Sequence, residues 1–330
     1  MRLHLPSQGG RPDPHYQSRR SGHTRAGKWT SPGHDEEEPH LVTVRRLREV
    51  TFQDLVTAWN EGFRGYAFDM TMSLDALVSR FGWEDLSANI SLVAFDGERP
   101  VGLVLSGLRT ITGRRVAWSG GTGVPPDQRG VGRLLVEVSM NVLREESVSL
   151  ATLEALSDNE RAIGLYEAFG YRTVDRLLLM TAETLGRDAF GGDAAEARIR
   201  STHPAAAVAV PFYEHFAPWQ TQWPSARGGE CLLLADADGT VEGYALLTRS
   251  WTANGDLETI TLLQAKVRPD GSRPERAIRL LLARAFAPLA VSCRRVALNV
   301  PASNRMAVDA LKEAGFGVLA EQVHMTADIG

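Results

Sequence analysis

The stretch V-P-P-D-Q-R-G-V-G-R-L, residues 124–134, decides how the first half of this chain is interpreted. Apolar residues recur from Val131 to Val138 at helical spacing, so the stretch predicts a strand that ends in a glycine loop and opens a helix. The first backbone N–H groups of a helix have no intrahelical partner, and glycines beside them let a ligand approach closely. The loop is therefore a candidate phosphate site, with a simple turn before a helix as the alternative.

A second motif follows in the string N-E-R-A-I-G-L-Y-E-A-F-G-Y, residues 159–171. Together the two segments resemble the signature of the GNAT superfamily of acetyl-CoA-dependent N-acetyltransferases, whose first segment has the form V-x-P-x-x-R-G-x-G-x-L. The resemblance implies that the loop amides hold the CoA pyrophosphate and that the preceding strand pairs with the pantetheine arm. The residues that it assigns to acetyl-CoA are Val124, Arg129, Gly130, Val131, Gly132, Arg133, Leu134, Asn159 and Tyr166. A second common form of the segment, R-x-x-G-x-G/A, has glycine or alanine where Leu134 stands, and this departure implies a less intimate contact with the pyrophosphate.

Positions of the second motif return later in the chain at a constant offset of 145 residues, from Asn159 to Asn304 and from Gly170 to Gly315. A repeat of this kind predicts two copies of one fold. With the GNAT resemblance, the expected fold class is α/β (α+β): two tandem GNAT folds, each with a mixed, mostly antiparallel central sheet flanked by helices. The expected parts are a disordered tail over 1–40, the first fold over 41–182, a linker over 183–194 and the second fold over 195–330.

The second copy departs from the family pattern in two places. Its loop, V-R-P-D-G-S-R-P from Val267, is longer than the first and has its only glycine before the helix. Leu311 stands where the first copy has Tyr166. The sequence therefore predicts an intact, catalytic N-terminal copy and a degenerate C-terminal copy.

Hydrophobic periodicity predicts the elements around these motifs. In the first copy it indicates a strand over 41–48, helices over the apolar stripes that start at Phe52 and Leu74, and a meander of strands before the glycine loop. The same order is expected in the second copy, with a helix near 205–215.

Acetyl transfer to an amine requires a neutral amine, a polarised thioester carbonyl and a proton for the departing thiolate. The spacing of Glu154 and Tyr166 resembles that in the ribosomal-protein alanine acetyltransferases, which implies that Glu154 is the general base and Tyr166 the general acid. A base of this kind can also act through a water. The alternatives are a strand glutamate in a solvated cleft for Glu154 and a core aromatic for Tyr166. Asn159 is expected to cap the following helix, and the resemblance adds a contact with pantetheine.

The connection between the first two helices, residues 61–73, is the candidate for recognition of the acceptor. Aromatic rings and a carboxylate there can hold an ammonium, whereas sealing of the domain interface is the favoured alternative. These residues are Phe63, Tyr66, Phe68 and Asp69. Aromatic residues at the corresponding place in the second copy are candidates to pack against the first domain: Phe212, Tyr213, Phe216, Trp219 and Trp223.

Composition limits the other functions. The formal net charge is −4 and the pI is near 6.1, so there is no general basic field for nucleic acid or an anionic membrane. Two cysteines without metal-ligand spacing predict a reduced, cytoplasmic protein with no metal site. The histidine-rich tail is expected to be disordered, with metal capture by its scattered histidines as the alternative.

The sequence thus predicts an acetyl-CoA-dependent N-acetyltransferase that acts on a primary amine of a small molecule, with a homodimer as a possible assembly. The alternative is a module that binds CoA or acetyl-CoA without turnover. The departure at Leu134 and the degenerate second copy motivate that alternative. The sequence does not identify the amine.

Overall fold

The structure of the protein is a computed structural model, which describes residues 42–191 and 198–330. The predicted tail over 1–40 and part of the predicted linker lie outside the described residues. The N-terminal half (42–191) contains β1 (Thr43–Arg46), α1 (Phe52–Gly62), α2 (Leu74–Glu84), β2 (Leu92–Asp96), β3 (Arg99–Ile111), β4 (Arg114–Gly123), α3 (Val131–Glu145), β5 (Leu150–Leu156), α4 (Glu160–Glu167) and β6 (Arg172–Ala182). The C-terminal half (198–330) contains β7 (Ile199–Thr202), β8 (Glu230–Ala235), β9 (Val241–Trp251), β10 (Leu257–Val267), α5 (Pro274–Ala285), β11 (Arg294–Pro301), α6 (Arg305–Glu313) and β12 (Gly317–Asp328).

The strands and helices predicted for the first copy are present, with bounds that differ by a few residues. The first two helices begin where a side chain accepts from the first turn: Thr51 caps α1 and Ser73 caps α2. The helix predicted near 205–215 is wrong. Residues 204–209 form a 3-10 helix instead. Pro211 prevents its extension into an α-helix, because proline has no N–H to donate and its ring clashes with the preceding turn.

The twelve strands form one sheet in the order β1-β2-β3-β4-β5-β12-β6-β11-β10-β9-β8-β7. Among the described strands, β4 pairs with β5 and β10 with β11 in parallel, and the other neighbours are antiparallel. Helices flank this sheet in both halves. The expected fold class, a tandem α/β arrangement with a mixed, mostly antiparallel sheet, is therefore confirmed.

Each half has its last strand inserted beside the other half. β12 lies between β5 and β6, where Met325 pairs with Leu153 on one side and with Thr173 on the other. β6 in turn lies between β12 and β11, where Met180 pairs with Val318 and Ala297. The sheet is therefore continuous across the predicted boundary between the domains, and the boundary itself stays a prediction.

The parallel pair β4–β5 positions the candidate site. Its pairing runs over residues 116–119 and 150–153 and then stops, although both strands continue. α3 packs on one face of this part of the sheet through Val131 and Leu135, and α1 packs on the other face through Leu55 and Trp59. The gap between the ends of β4 and β5 thus opens between two layers of helices.

Candidate active site

Helix α3 begins without a side-chain cap. Gly130 stands at its N-cap with φ of 83°, a left-handed conformation that favours glycine, and no side chain accepts from the first turn. By contrast, α1, α2 and α4 begin with caps from Thr51, Ser73 and Asn159. The N–H of Leu134 bonds back to the Gly130 carbonyl at 3.1 Å, so the N–H groups before it have no turn of helix to donate to. They are available to an anionic ligand.

The space in front of this loop is open. A methyl group at Gly130 would meet no atom within 4 Å, and one at Gly132 would lie 3.8 Å from the Val124 side chain, an ordinary contact. Arg133 is exposed and places its guanidinium carbon 5.2 Å from the centre of the Phe169 ring. The structure therefore brings the predicted loop residues together at one helix end, with room for phosphate groups and a cation beside them.

Tyr166 lies on α4 with its ring against the core and its hydroxyl near β4. The ring contacts that of Tyr171, with centroids 5.6 Å apart. Burial raises the pKa of Tyr166, and a hydrogen bond with Thr122 opposes that rise. Thr122 Oγ1 is in turn 3.2 Å from Ser119 Oγ. Tyr166 thus combines a packed ring with a polar hydroxyl contact, and its proton stays on oxygen at neutral pH.

Glu154 lies on β5, on the face of the sheet opposite α3. Its Oε2 accepts from the indole Nε1 of Trp118 at 2.6 Å, and its Oε1 accepts from the backbone N–H of Trp219 at 3.3 Å. Burial raises the pKa of Glu154 to about 7; the two hydrogen bonds oppose the rise, and the neighbouring charge of Glu84 adds to it. The carboxyl is therefore partly protonated at neutral pH, and its half-buried side chain lies between Trp118 and Trp219. Its role as general base stays a prediction.

Both candidate catalytic residues are tied to β4, a link that sequence reasoning missed. Trp118 holds Glu154 and Thr122 contacts Tyr166, and these two partners are four positions apart on one strand. The signal that could have found them is the position of β4 directly before the glycine loop. Asn159 caps α4 as predicted, because its Oδ1 accepts from the Ala162 N–H at 3.2 Å, while its contact with pantetheine stays a prediction.

The connection over 61–73 lines a cavity of about 400 Å³ that is open to solvent on one side. Its ends are fixed by Trp59 Nε1, which donates to the Met70 carbonyl at 2.7 Å, and by Asn60, which exchanges hydrogen bonds with the backbone of Met72. The lining residues are Asn60, Phe63, Arg64, Gly65, Tyr66, Phe68, Asp69, Met70 and Thr71. All the predicted acceptor residues therefore border one cavity.

The two halves contact each other beside Glu154, away from this cavity. Trp219 of the C-terminal half stacks on Trp118, with ring centroids 5.7 Å apart and an interplanar angle of 7°, and Phe216 packs against the same cluster. The predicted packing against the first domain is confirmed for these two aromatics. It is wrong for Phe212, Tyr213 and Trp223, which pack in the core of their own half.

The second copy has a different helix start. Arg273 stands at the N-cap of α5 with φ of −146°, and Pro274 at the first helical position has no N–H. Asn304 does not cap α6; its Nδ2 donates across to the Ala265 carbonyl of β10 at 2.9 Å. Leu311 is fully buried. These differences agree with the predicted loss of function in this copy, which stays a prediction.

Within 42–191 and 198–330, no group of three or more His, Cys, Asp and Glu side chains is placed to hold a metal ion. No helix in this described part of the chain is long and apolar enough to cross a membrane.

Comparison with solved structures shows the tandem fold in other proteins. The chain aligns over 88% of its length with the glucosamine N-acetyltransferase region of a fungal multi-domain GH3 β-N-acetylglucosaminidase, at a TM-score of 0.61 and 13% identity, and spans only 38% of that protein. A tandem GNAT protein from the clavulanic acid biosynthesis pathway aligns over 88% of this chain and 99% of its own, at a TM-score of 0.57 and 15% identity. A putative acetyltransferase from Pyrococcus horikoshii aligns over 89% of this chain and 93% of its own, at a TM-score of 0.55 and 18% identity. At these identities the likeness extends to the fold alone.

Sequence comparison gives the family of the N-terminal half. No curated protein sequence matches the chain. Residues 52–171, however, match the model of the Acetyltransferase (GNAT) family, and this segment runs from the start of α1 to the end of the second motif. It contains the uncapped start of α3, Glu154 and Tyr166. Residues 52–171 therefore form a domain of the GNAT acetyltransferase family, within a chain whose two halves share one continuous sheet.

Proposed function

We propose that the N-terminal half transfers an acetyl group from acetyl-CoA to a primary amine, and that the amine belongs to a small molecule. The observation that carries the proposal is the uncapped start of α3, with Gly130 in a left-handed conformation, beside the end of β4. The same strand holds the partners of the two candidate catalytic side chains, Glu154 and Tyr166. An anion site and the partners of two titratable groups thus lie along one strand.

The residues at this place fit acetyl-CoA. The backbone N–H groups of 130–133 would hold the pyrophosphate, with the exposed Arg129 and Arg133 supplying positive charge. The part of β4 beyond Ser119, where pairing with β5 has stopped, would take the pantetheine arm. The 400 Å³ cavity of the 61–73 connection is in the range of small-molecule sites, which supports a small amine as the acceptor.

The two titratable groups suit the proton transfers of the reaction. Acetyl-CoA, when bound, supplies an acetyl thioester, whose C–S bond breaks as the C–N bond to the amine forms. Glu154, with a pKa of about 7, has an ionised fraction at neutral pH that accepts a proton from the amine, directly or through a water. Tyr166 keeps its proton at Oη, because burial raises its pKa, and gives that proton to the departing sulfur.

A calorimetric titration of acetyl-CoA into the full chain tests the binding step. Gly132→Glu places a carboxylate in the open space before the loop, and Ser272→Glu, in the exposed loop before α5, is the matched control in the second copy. We expect one site per chain, lost in the first variant and kept in the second. Absence of binding in the unaltered chain would overturn the proposal.

An amine panel tests the transfer step. We expect acetylation of at least one small primary amine, at a rate that Tyr166→Phe lowers without loss of acetyl-CoA binding. Binding at one site with no transfer to any amine would instead favour the module without turnover, whose supporting observation is that both oxygens of Glu154 already accept hydrogen bonds.

A further inference from the structure

A segment of the C-terminal half, residues 219–227, covers the carboxyl of Glu154. Trp219 donates its backbone N–H to Glu154 Oε1 at 3.3 Å and stacks its ring on Trp118, whose indole N–H donates to Oε2. The Trp219 indole N–H donates to the Glu84 carbonyl at 2.7 Å. Trp219 is only 1% exposed, so the contact excludes water from one side of the carboxyl.

Arg109 of β3 fastens this segment to the N-terminal half. Its Nη1 donates to the Trp219 carbonyl and to Gln222 Oε1, both at 2.9 Å, and its Nη2 donates to Ser225 Oγ at 2.9 Å. Its guanidinium carbon lies 4.0 Å from the centre of the Trp219 ring. The side chain is buried and pairs with Asp85 through Nε at 2.7 Å, so its charge is balanced. A buried guanidinium with this set of partners allows the segment little freedom.

We propose that Trp219 and Arg109 are positioning residues for Glu154: Arg109 holds the 219–227 segment in place, and Trp219 orients the Glu154 carboxyl and shields one side of it from water. The C-terminal half then contributes a positioning residue, Trp219, to the site in the N-terminal half. This inference rests on the proposed function for its catalytic meaning, but the effect on Glu154 is measurable without turnover.

The groups around Glu154 fix the direction of the expected change. Glu84 of α2 faces it, paired with Arg80 at 2.6 Å and accepting from Gln220 Nε2 at 2.8 Å, and His324 of β12 is its cross-strand neighbour. Burial is the largest cause of the raised pKa of Glu154, and it outweighs the hydrogen bonds, which act in the opposite sense. Removal of the Trp219 ring therefore admits water and lowers this pKa toward the ordinary carboxyl value of 4.5.

The indole N–H of Trp118 is a direct reporter of Glu154. We would follow its ¹H–¹⁵N NMR signal against pH in the full chain labelled at tryptophan, assigned through Trp118→Phe, and compare it with the pH profile of kcat/KM. Trp219→Ala is the main variant. Arg109→Lys keeps the charge and loosens the same segment, while Trp219 itself is not substituted. Arg227→Ala is the control for a general loosening of the segment. Arg227 bridges the same halves through the Gly82 carbonyl and through Asp85, which it shares with Arg109, but its hydrogen bonds do not include Trp219 or Glu154.

We expect the midpoint of the Trp118 signal to fall by about one pH unit or more in Trp219→Ala, and less in Arg109→Lys. Trp219→Phe, which keeps a stacked ring, and Arg227→Ala should leave it near the original value. The acidic limb of kcat/KM should move with the signal. An unchanged or raised midpoint in Trp219→Ala, or an equal fall in Arg227→Ala, would overturn the inference. A shifted signal in a protein that acetylates no amine would overturn the proposed function but leave the positioning of Glu154 intact.

Discussion

The two copies use the same asparagine in different ways. Asn159 accepts from the first turn of its own helix, whereas Asn304 donates across to the Ala265 carbonyl of β10 and leaves α6 without a side-chain cap. In the first copy no bond from this asparagine reaches β4, and in the second copy the helix is tied to the strand. The repeated motif thus preserves the fold in both copies, while the hydrogen bonds differ at the place where a ligand would lie.

The starts of α3 and α5 also differ between the copies. Gly130 opens α3 with free N–H groups, but Pro274 opens α5 with one donor missing from the first turn. Three local changes, at the loop, at the asparagine and at Leu311 in place of Tyr166, therefore separate the copies. The following variants test which of the changes matters.

The largest expected effect is at Tyr166. Tyr166→Phe should lower kcat about 100- to 10,000-fold, because the general acid is removed while the ring and its packing remain. Steady-state kinetics on the accepted amine, with acetyl-CoA affinity measured in parallel, checks this. Leu311→Tyr is the control from the second copy and should not raise the rate. A rate gained in Leu311→Tyr would show that the missing tyrosine alone keeps the second copy inactive.

A smaller loss is expected at Glu154. Glu154→Gln should lower kcat/KM about 100-fold at pH 8, because the amide cannot accept the amine proton. The base works in its ionised form and its pKa is about 7, so the original enzyme should lose activity as the pH falls through 7. That acidic limb should vanish in the variant. If the loss of activity at low pH persists at the same pH in Glu154→Gln, the titrating group is not Glu154.

Local features of the site were predictable from the sequence, and long-range ones were not. The glycine loop over 124–134 and the cap by Asn159 follow from residues a few positions apart. The contact of Trp219 with Glu154 joins residues 65 positions apart and depends on the course of 211–227 through short 3-10 helices, which carry no periodic signal.

The exchange of strands was beyond the sequence for a related reason. β6 and β12 are the last strands of the two copies. The alternation of apolar residues in each strand is the same whether the strand pairs within its own half or with the other half. Register is fixed by tertiary packing, as at Met325, which is fully buried between β5 and β6. The sequence therefore predicted two folds correctly but not how they share one sheet.

The exchanged strands also differ in a titratable residue. β12 carries His324 where β6 carries Leu179 at the repeat offset, and burial lowers the pKa of His324 to about 4. The unfolded chain takes up this proton near pH 6.5, so it binds more protons than the folded chain between pH 6.5 and 4. The contribution of His324 to the free energy of unfolding should therefore fall by about 2 kcal/mol from pH 7 to pH 5.

Urea unfolding at pH 7 and pH 5 checks this against His324→Leu. The raised pKa of Glu154 acts in the opposite sense over the same range, so these two contributions oppose each other in the unaltered chain. The difference between the two proteins is therefore the quantity to measure. The variant should gain about 2 kcal/mol relative to the original on acidification. Equal pH dependence in both would mean that His324 is not protected in the folded state.

The smallest expected effect is on stability, when either Asn159 or Asn304 is replaced. Asn159→Ala should cost about 1 kcal/mol of stability through the lost cap, and Asn304→Ala a similar amount through the lost bond to Ala265. Stability alone therefore does not distinguish the copies, but the number of acetyl-CoA sites does. Asn304→Ala frees the end of β10 and leaves Pro274 in place, so we expect the calorimetric count to stay at one, because the second helix start still lacks a donor. A count of two would show that the bond from Asn304, rather than the proline, prevents acetyl-CoA from binding to the second copy.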